Sequence, residues 1–206
     1  YCAKLIGSYA YGRWLKYVGD SDNAPEYQRL TGKQIGSKYG FIANGLFQSE
    51  EEIANSATVK GYKALPGYIK YVDRNGDGII TAAQDQGYVG KSATPKHTGS
   101  LNLFGNWKGF DFDLLFSWGL GNVVALTGQY TASGSAGTQD NTSFTKPFYH
   151  GGNSPTFLVE NSWTPEHTNA EFPRLEITGP SNNNGYSSTF WYRNGNYMRL
   201  KTAQIG

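Results

Sequence analysis

The chain has 206 residues, of which 27 are glycine, 15 tyrosine, 11 phenylalanine and 5 tryptophan, and only 17% of it is charged. Its net charge of +2, with no basic run, excludes recognition of nucleic acid by a charged surface. A single cysteine, Cys2, excludes an internal disulfide framework, and no apolar stretch reaches the roughly 18 residues of a membrane-crossing helix.

Aromatic, glycine-punctuated sequence of this kind favours β-structure over a helical bundle. Residues 1–18 read as a strand with a wet face and an aromatic face, interrupted at Gly12 by a bulge or strand end. Residues 19–38 read as loop, and Tyr39 to Phe47 as a short strand. Ser49 is placed to cap a short helix: Glu52 completes a capping box, and Glu50, Glu51 and Glu52 complement the helix dipole. That helix is expected to end before Gly61. Residues 67–72 form a strand that leads into the next feature.

That feature is Asp73-Arg74-Asn75-Gly76-Asp77-Gly78-Ile79-Ile80-Thr81. Oxygen-bearing side chains recur at every second position and a glycine follows the third, which is how a short loop wraps a hard cation, Ca²⁺ above all. Asp73, Asn75 and Asp77 would give side-chain oxygens, Ile79 its carbonyl, and Thr81 a direct or water-mediated contact. The twelfth position of the EF-hand pattern is Gln84 rather than Glu, with Asp85 one residue later. The competing reading is a polar turn whose Asp and Asn side chains cap their own backbone. Both readings make the loop structural.

The clearest pattern spans 98–118. Leu101, Leu103 and Trp107 share one face of the first arm. Phe110, Phe112, Leu114, Phe116 and Trp118 share one face of the second, with Asp111, Asp113, Leu115 and Ser117 opposite. Lys108-Gly109 is the two-residue turn of a hairpin. Such a ladder is the core face of a soluble sandwich or the lipid face of a membrane barrel whose acids line a wet lumen. Residues 119–189 are mostly polar loop, unusual inside a compact domain and ordinary above a barrel. A last strand runs from about Tyr197 to Ile205. The chain lacks an initiator Met and opens on a strand, so it is expected to be a piece of a longer protein.

Several segments together resemble one family. They are Tyr27–Gly36, Tyr39–Phe47, Pro66–Asp73 running into the cation loop, and Gly90–Pro95 before the hairpin. Trp163-Thr164-Pro165-Glu166, Asn169–Leu175 and Tyr197-Met198-Arg199-Leu200-Lys201 follow in the same order. The series is similar to the C-terminal half of SusC/RagA-type TonB-dependent outer-membrane transporters, and it covers nearly the whole chain. The resemblance implies an all-β fold: residues 1–206 as part of a large antiparallel barrel of about 22 strands, with long extracellular loops and one short helix. It implies residence in the outer membrane of a Gram-negative bacterium of the Bacteroidota, and import of oligosaccharides or peptides. The partners it implies are a SusD-like surface lipoprotein, membrane lipid, and TonB acting through an N-terminal region outside this chain, while no nucleic acid is expected. Its cation loop usually carries Asp at the twelfth position, which here corresponds to Asp85 after a one-residue insertion.

In such a transporter, aromatic faces stack on sugar rings. Trp118, Tyr149, Trp163, Trp191 and Tyr192 are the candidates, against the simpler reading that each is a girdle residue or a loop anchor. Arg174 reads as a structural partner. His97, His150 and His167 lack metal-site spacing, and no Gly-Xaa-Ser-Xaa-Gly elbow or phosphate loop points to an enzyme. The alternative to a transporter fragment is a secreted β-sandwich carbohydrate-binding module with a structural Ca²⁺.

Overall fold

A computed structural model of the chain describes residues 1–90, 92–126, 154–175 and 184–206. In chain order the strands are β1 (Cys2–Tyr9), β2 (Tyr39–Gly40), β3 (Ala43–Leu46), β4 (Thr58–Val59), β5 (Ile69–Tyr71), β6 (Ile79–Ile80) and β7 (Gly87–Tyr88). They continue as β8 (His97–Trp107), β9 (Phe110–Leu120), β10 (Val123–Ala125), β11 (Tyr192–Asn194) and β12 (Tyr197–Ile205). Among the described residues the α-helices are α1 (Glu50–Ala54), α2 (Ala82–Asp85) and α3 (Thr156–Glu160), all short. The fold is thus β with few helices, as the sequence suggests. The chain divides into two compact units, one of Tyr1–Lys38, Gly90–Ala125 and Arg193–Gly206, the other of Tyr39–Val89 and Leu126–Tyr192.

The first unit is built on an antiparallel sheet of order β1-β8-β9-β12. Residues directly opposite one another share a face, so the register sorts the side chains. Leu5, Leu101, Phe116 and Leu200 form one row, and Ala3, Leu103, Leu114 and Ala203 the next. Trp107, Phe110, Phe112, Trp118, Met198 and Ile205 fall on the same side. The reverse side carries Lys4, Ser8, Thr98, Ser100, Asn102, Asp111, Asp113, Ser117, Arg199 and Gln204, interspersed with Ile6, Phe104, Leu115 and Tyr197. One apolar and one predominantly polar face result, and Leu5, Trp107, Phe110, Met198 and Leu200 of the apolar face are exposed.

The hairpin joining β8 to β9 closes through Lys108 (φ 51°) and Gly109 (φ 86°), between the paired residues Trp107 and Phe110. Two successive positive φ values are what a type I′ turn requires. The opposite end of the sheet gathers Tyr9, His97, Leu120 and Tyr197. Both long connections of the chain therefore leave from that end, and the two-residue turn lies at the other. Aromatic rings lie across glycines of neighbouring strands: Trp118 on Gly99, Phe112 on Gly105 and Tyr197 on Gly119. Each ring covers backbone that a Cβ would otherwise shield.

The expectation of one strand over 1–18 is corrected. β1 ends at Tyr9, and residues 12–14 pair with a later stretch instead. Arg13 bridges Gln34, Trp14 N–H donates to the Lys33 carbonyl, and Ile35 N–H donates to the Gly12 carbonyl. The chain turns back because the Asp20 carboxylate accepts the Leu30 and Thr31 N–H groups at 2.7 and 2.8 Å, closing the intervening loop.

The second unit has its own core, of Phe41, Leu46, Val59, Ile69, Tyr71, Ile80, Leu158, Trp163, Phe172 and Trp191. Its strands are short: β3 pairs with β5 and β2 with β7 in antiparallel fashion, and β4 with β6 in parallel. α1 is capped as anticipated. Ser49 Oγ accepts the Glu52 N–H at 3.1 Å, while Glu52 Oε2 reaches back to the Gln48 N–H at 2.8 Å. Glu52 also meets Lys70 Nζ at 2.7 Å.

The reading of 119–189 as loop is corrected where the structure describes it. α3 lies within that stretch, and Leu158, Trp163 and Phe172 are core residues. Trp163 Nε1 donates to Gln48 Oε1 at 3.0 Å, and its ring lies so close over Gly67 that a Cβ there would come within 2.5 Å of Cε3. Gly67 also has φ +88°, so this position is restricted to glycine on two counts. Arg174 fastens the same place, its N–H donating to the Gly67 carbonyl and Nη1 to the Pro66 carbonyl.

Candidate functional site

The 73–85 loop lies in the second unit, between β5 and β7. It opens at Asp73, whose Oδ1 accepts the Gly76 N–H and Oδ2 the Gly78 N–H, both at 2.7 Å. The Gly78 N–H, with the Gly76 N–H behind it, holds the Asp73 carboxyl below the usual carboxylate range. Gly76 and Gly78 both have positive φ, 76° and 84°, which lets consecutive N–H groups converge on one carboxylate. Asp77 Oδ1 accepts the Ile79 N–H at 2.9 Å, and its Oδ2 accepts Asn75 Nδ2 at 2.8 Å. The loop is thus a run of Asx turns, and its side-chain oxygens organise its own backbone.

Asp85 closes the base. It is fully buried. Oδ1 accepts the Arg74 N–H at 2.8 Å and Oδ2 the Thr81 N–H at 2.7 Å, so one carboxylate ties the two ends of the loop together. Thr81 caps α2, its Oγ1 accepting the Gln84 N–H. The donor types of Asp73, Asn75, Asp77 and the Ile79 carbonyl suit a hard cation. Each carboxylate oxygen that accepts one N–H keeps a second lone pair. Among the described residues no three His, Cys, Asp or Glu side chains are gathered as a metal-binding group, and Asp85 is turned inward rather than toward Asn75 and Asp77, which are exposed.

The aromatic candidates separate. Trp163 and Trp191 are 6% and 1% exposed. Trp191 Nε1 donates to the Asn184 carbonyl at 2.8 Å, and Asn184 Oδ1 accepts the buried Ile69 N–H. Both indoles are committed to the core and offer no free face for stacking, which corrects their assignment as substrate platforms. Trp118 belongs to the apolar face of the sheet, over Gly99. Tyr192 is partly exposed, with its hydroxyl 3.0 Å from Ser187 Oγ. Tyr149 and His150 lie outside the described residues. His97 stacks on Tyr9 with centroids 4.8 Å apart.

The sequence reading passed over a groove on the polar face of the sheet. Its lining includes Ser8, Thr98, Ser100, Ser117, Arg199 and Lys201, around an open volume of about 430 Å³. The signal was present as Tyr197, Arg199 and Lys201 at alternate positions of one strand, which places them on one side.

No protein-family model matches the chain. A curated relative, TonB-dependent receptor P3 of Formosa agariphila, is 30% identical over 193 residues, covering 90% of this chain. The TonB-dependent receptors P39 and P26 of the same organism are 22% and 27% identical, each over 85% of this chain. The chain is a homologue of a segment of TonB-dependent receptors. The chain spans 17% of the length of P3, 19% of P39 and 16% of P26. Its fold is similar over 98% of its length to 20% of a chain in the structure of the RagAB peptide importer in the 'open-open' state, with a TM-score of 0.54 and 18% identity. The chain thus shares its largely antiparallel β fold with that part of the RagAB structure.

Proposed function

We propose that the chain forms part of the barrel wall and outer loops of an outer-membrane importer in a Gram-negative bacterium of the Bacteroidota type. The importer takes up oligosaccharides or peptides, draws energy from TonB and works with a SusD-like surface lipoprotein. The observation that carries this reading is the four-stranded sheet with one apolar face and one polar face. Its register runs across β1, β8, β9 and β12 with one bulge, between Leu200 and Thr202, and Leu5, Trp107, Phe110, Phe112, Met198, Leu200 and Ile205 on the apolar face are exposed. A barrel wall needs one side for lipid and one for water, with every backbone group paired. Long connections at one end and a two-residue turn at the other fit the long extracellular loops and short periplasmic turns of such barrels. A sandwich module would instead cover the apolar face with a second sheet. Within this unit the described residues supply no such layer.

The role assigned is transport, with no catalytic step. The 73–85 loop is proposed as a structural Ca²⁺ element: Asp73, Asn75, Asp77 and the Ile79 carbonyl would hold the ion, with Thr81 and Asp85 behind them.

The test uses the full-length gene product with single cysteines placed on a background in which Cys2 and every cysteine outside this chain are replaced by Ser. A lipid-confined quencher should reach a fluorophore at position 114 and leave one at position 117 untouched, while a water-soluble quencher should do the reverse. A soluble product, or equal quenching at both positions, would sink the barrel reading.

A further inference from the structure

The groove on the polar face has a distinctive charge arrangement. Arg199 and Lys201 both line it. Among the described residues neither has a carboxylate within ion-pair distance; the ion pairs present are Lys33–Glu26 and Lys70–Glu52. Asp113 and Asp111 share the polar face; they stand four and six residues along β9 from Ser117, the partner of Arg199, roughly 13 and 20 Å away at about 3.3 Å per residue. Lys201, in the bulge opposite Leu115 and Phe116, is nearer to Asp113, at about two residues or roughly 7 Å along the strand. Arg199 and Lys201 are therefore two cations of the face that no carboxylate neutralises by direct contact.

Arg199 is also held in place. Its guanidinium lies over the Tyr197 ring at 4.3 Å from the centroid, and that ring rests on Gly119. Stacking fixes the plane of the guanidinium and leaves its N–H edge free to meet an oxyanion in two-point fashion. Ser100 and Ser117 stand in the same cross-strand row as Arg199, with Ile6. Ser8 Oγ and Thr98 Oγ1 are hydrogen-bonded at 2.8 Å in the next row. The groove thus pairs two unneutralised cations with a bed of hydroxyls, at a volume of about 430 Å³, within the range of small-ligand sites.

The geometry points to a binding site for an acidic oligosaccharide, one carrying carboxylate or sulfate groups, on the wet face of this wall. Arg199 and Lys201 meet the anionic group, and the Ser and Thr hydroxyls meet the sugar hydroxyls. No carboxylate lines the groove to answer the amino terminus or basic side chains of a peptide, which favours the sugar. This inference rests on the importer reading, since it takes the polar face as the water-filled side.

The test uses the full-length receptor in outer membranes with Cys2→Ser and Ser117→Cys, and reads the rate of thiol modification at position 117. A negatively charged methanethiosulfonate should react faster than a positively charged one. The double change Arg199→Gln and Lys201→Gln should abolish or reverse that preference. Tetragalacturonate should protect the thiol at concentrations at least tenfold below those of its fully methyl-esterified form, and the double variant should lose the difference. Equal protection by acid and ester, no protection by either, or better protection by a glutamate-rich peptide overturns the inference. Each of these results counts against the inference alone when the receptor is found in the outer membrane with the quenching pattern described above. A receptor that fails that pattern takes the importer reading down with it.

Discussion

The two units obey different rules. The sheet of β1, β8, β9 and β12 contains long strands whose alternation is interrupted only at the Lys201 bulge, but among the described residues it has no buried apolar core of its own; Leu5 is 71% exposed and Phe110 66%. The second unit has strands of two to four residues, yet Ile69, Ile80 and Leu158 are 0% exposed. The first is specified by period and register, and one of its faces leaves large apolar side chains exposed. The second is specified by packing among residues far apart in the chain and supplies its own apolar interior. Regular secondary structure and a hydrophobic core, usually found together, are here divided between two parts of one molecule.

Breaking each rule separately sharpens that contrast. The largest effect is expected in the core of the second unit. Trp191→Ala should cost about 3–5 kcal/mol, read as faster proteolysis of residues 39–89 in the full-length receptor, with the heat-modifiable migration of the barrel preserved. The mirror experiment is Leu114→Arg on the apolar face, expected to cost about 2–4 kcal/mol at the membrane midplane and to lower the amount of receptor in the outer membrane. Ser117→Arg on the opposite face should be assembled normally. If Leu114→Arg and Ser117→Arg assemble equally, the two faces are not distinguished by lipid.

Effects at the 73–85 loop should be intermediate. Asp85→Ala leaves the Arg74 and Thr81 N–H groups without acceptors, at about 1–3 kcal/mol each, and the loss should be the same with and without Ca²⁺. Asp73→Ala and Asp77→Ala should each remove stabilisation that depends on Ca²⁺, measured as the difference in Tm between Ca²⁺ and chelator. Identical melting of the unmutated receptor in the two conditions would reduce the loop to a set of Asx turns.

The smallest effect belongs to α1. Hydrogen bonding to Lys70, and then to the Gln48 N–H, holds the Glu52 carboxyl below its ordinary value. A depressed carboxyl contributes stability above the unfolded-state value and loses it as the pH falls through the lowered one. Both side chains are partly exposed, so Glu52→Gln should cost under about 1 kcal/mol, with the difference from the unmutated protein fading in acid.

Legibility followed the same division. Periodicity located the hairpin, its Lys108-Gly109 turn and the Tyr197–Ile205 strand, because an alternating sequence describes a two-faced sheet directly. Ser49 and Glu52 announced α1 through cap chemistry, which is local. Local pattern could not show that Trp163 and Trp191 are core residues. Their neighbours Gly67, Gln48 and Asn184 are distant in sequence or carry no apolar signal. α3 was missed for a similar reason: Pro155 stands at its N-cap without a side-chain cap bond, and Leu158 is its only buried residue. The groove at Arg199 was written in alternation that had been read only as a family signature. Asp85 was assigned by counting positions along a loop, and counting cannot tell an outward ligand from a buried clasp.

The pairing of β12 with β9 shifts by one residue between Leu200 and Thr202, leaving Lys201 as the unpaired member of a bulge. On either side of it the alternation is in phase with β9: Met198 and Leu200 before, Ala203 and Ile205 after, all on the apolar face. The loss of a single codon inverts both faces of a strand almost anywhere else in this sheet. At position 201 it would erase the bulge and leave every other side chain where it is. Lys201 thus marks the point in this strand where homologous chains can differ in length by one residue while keeping both faces of the wall.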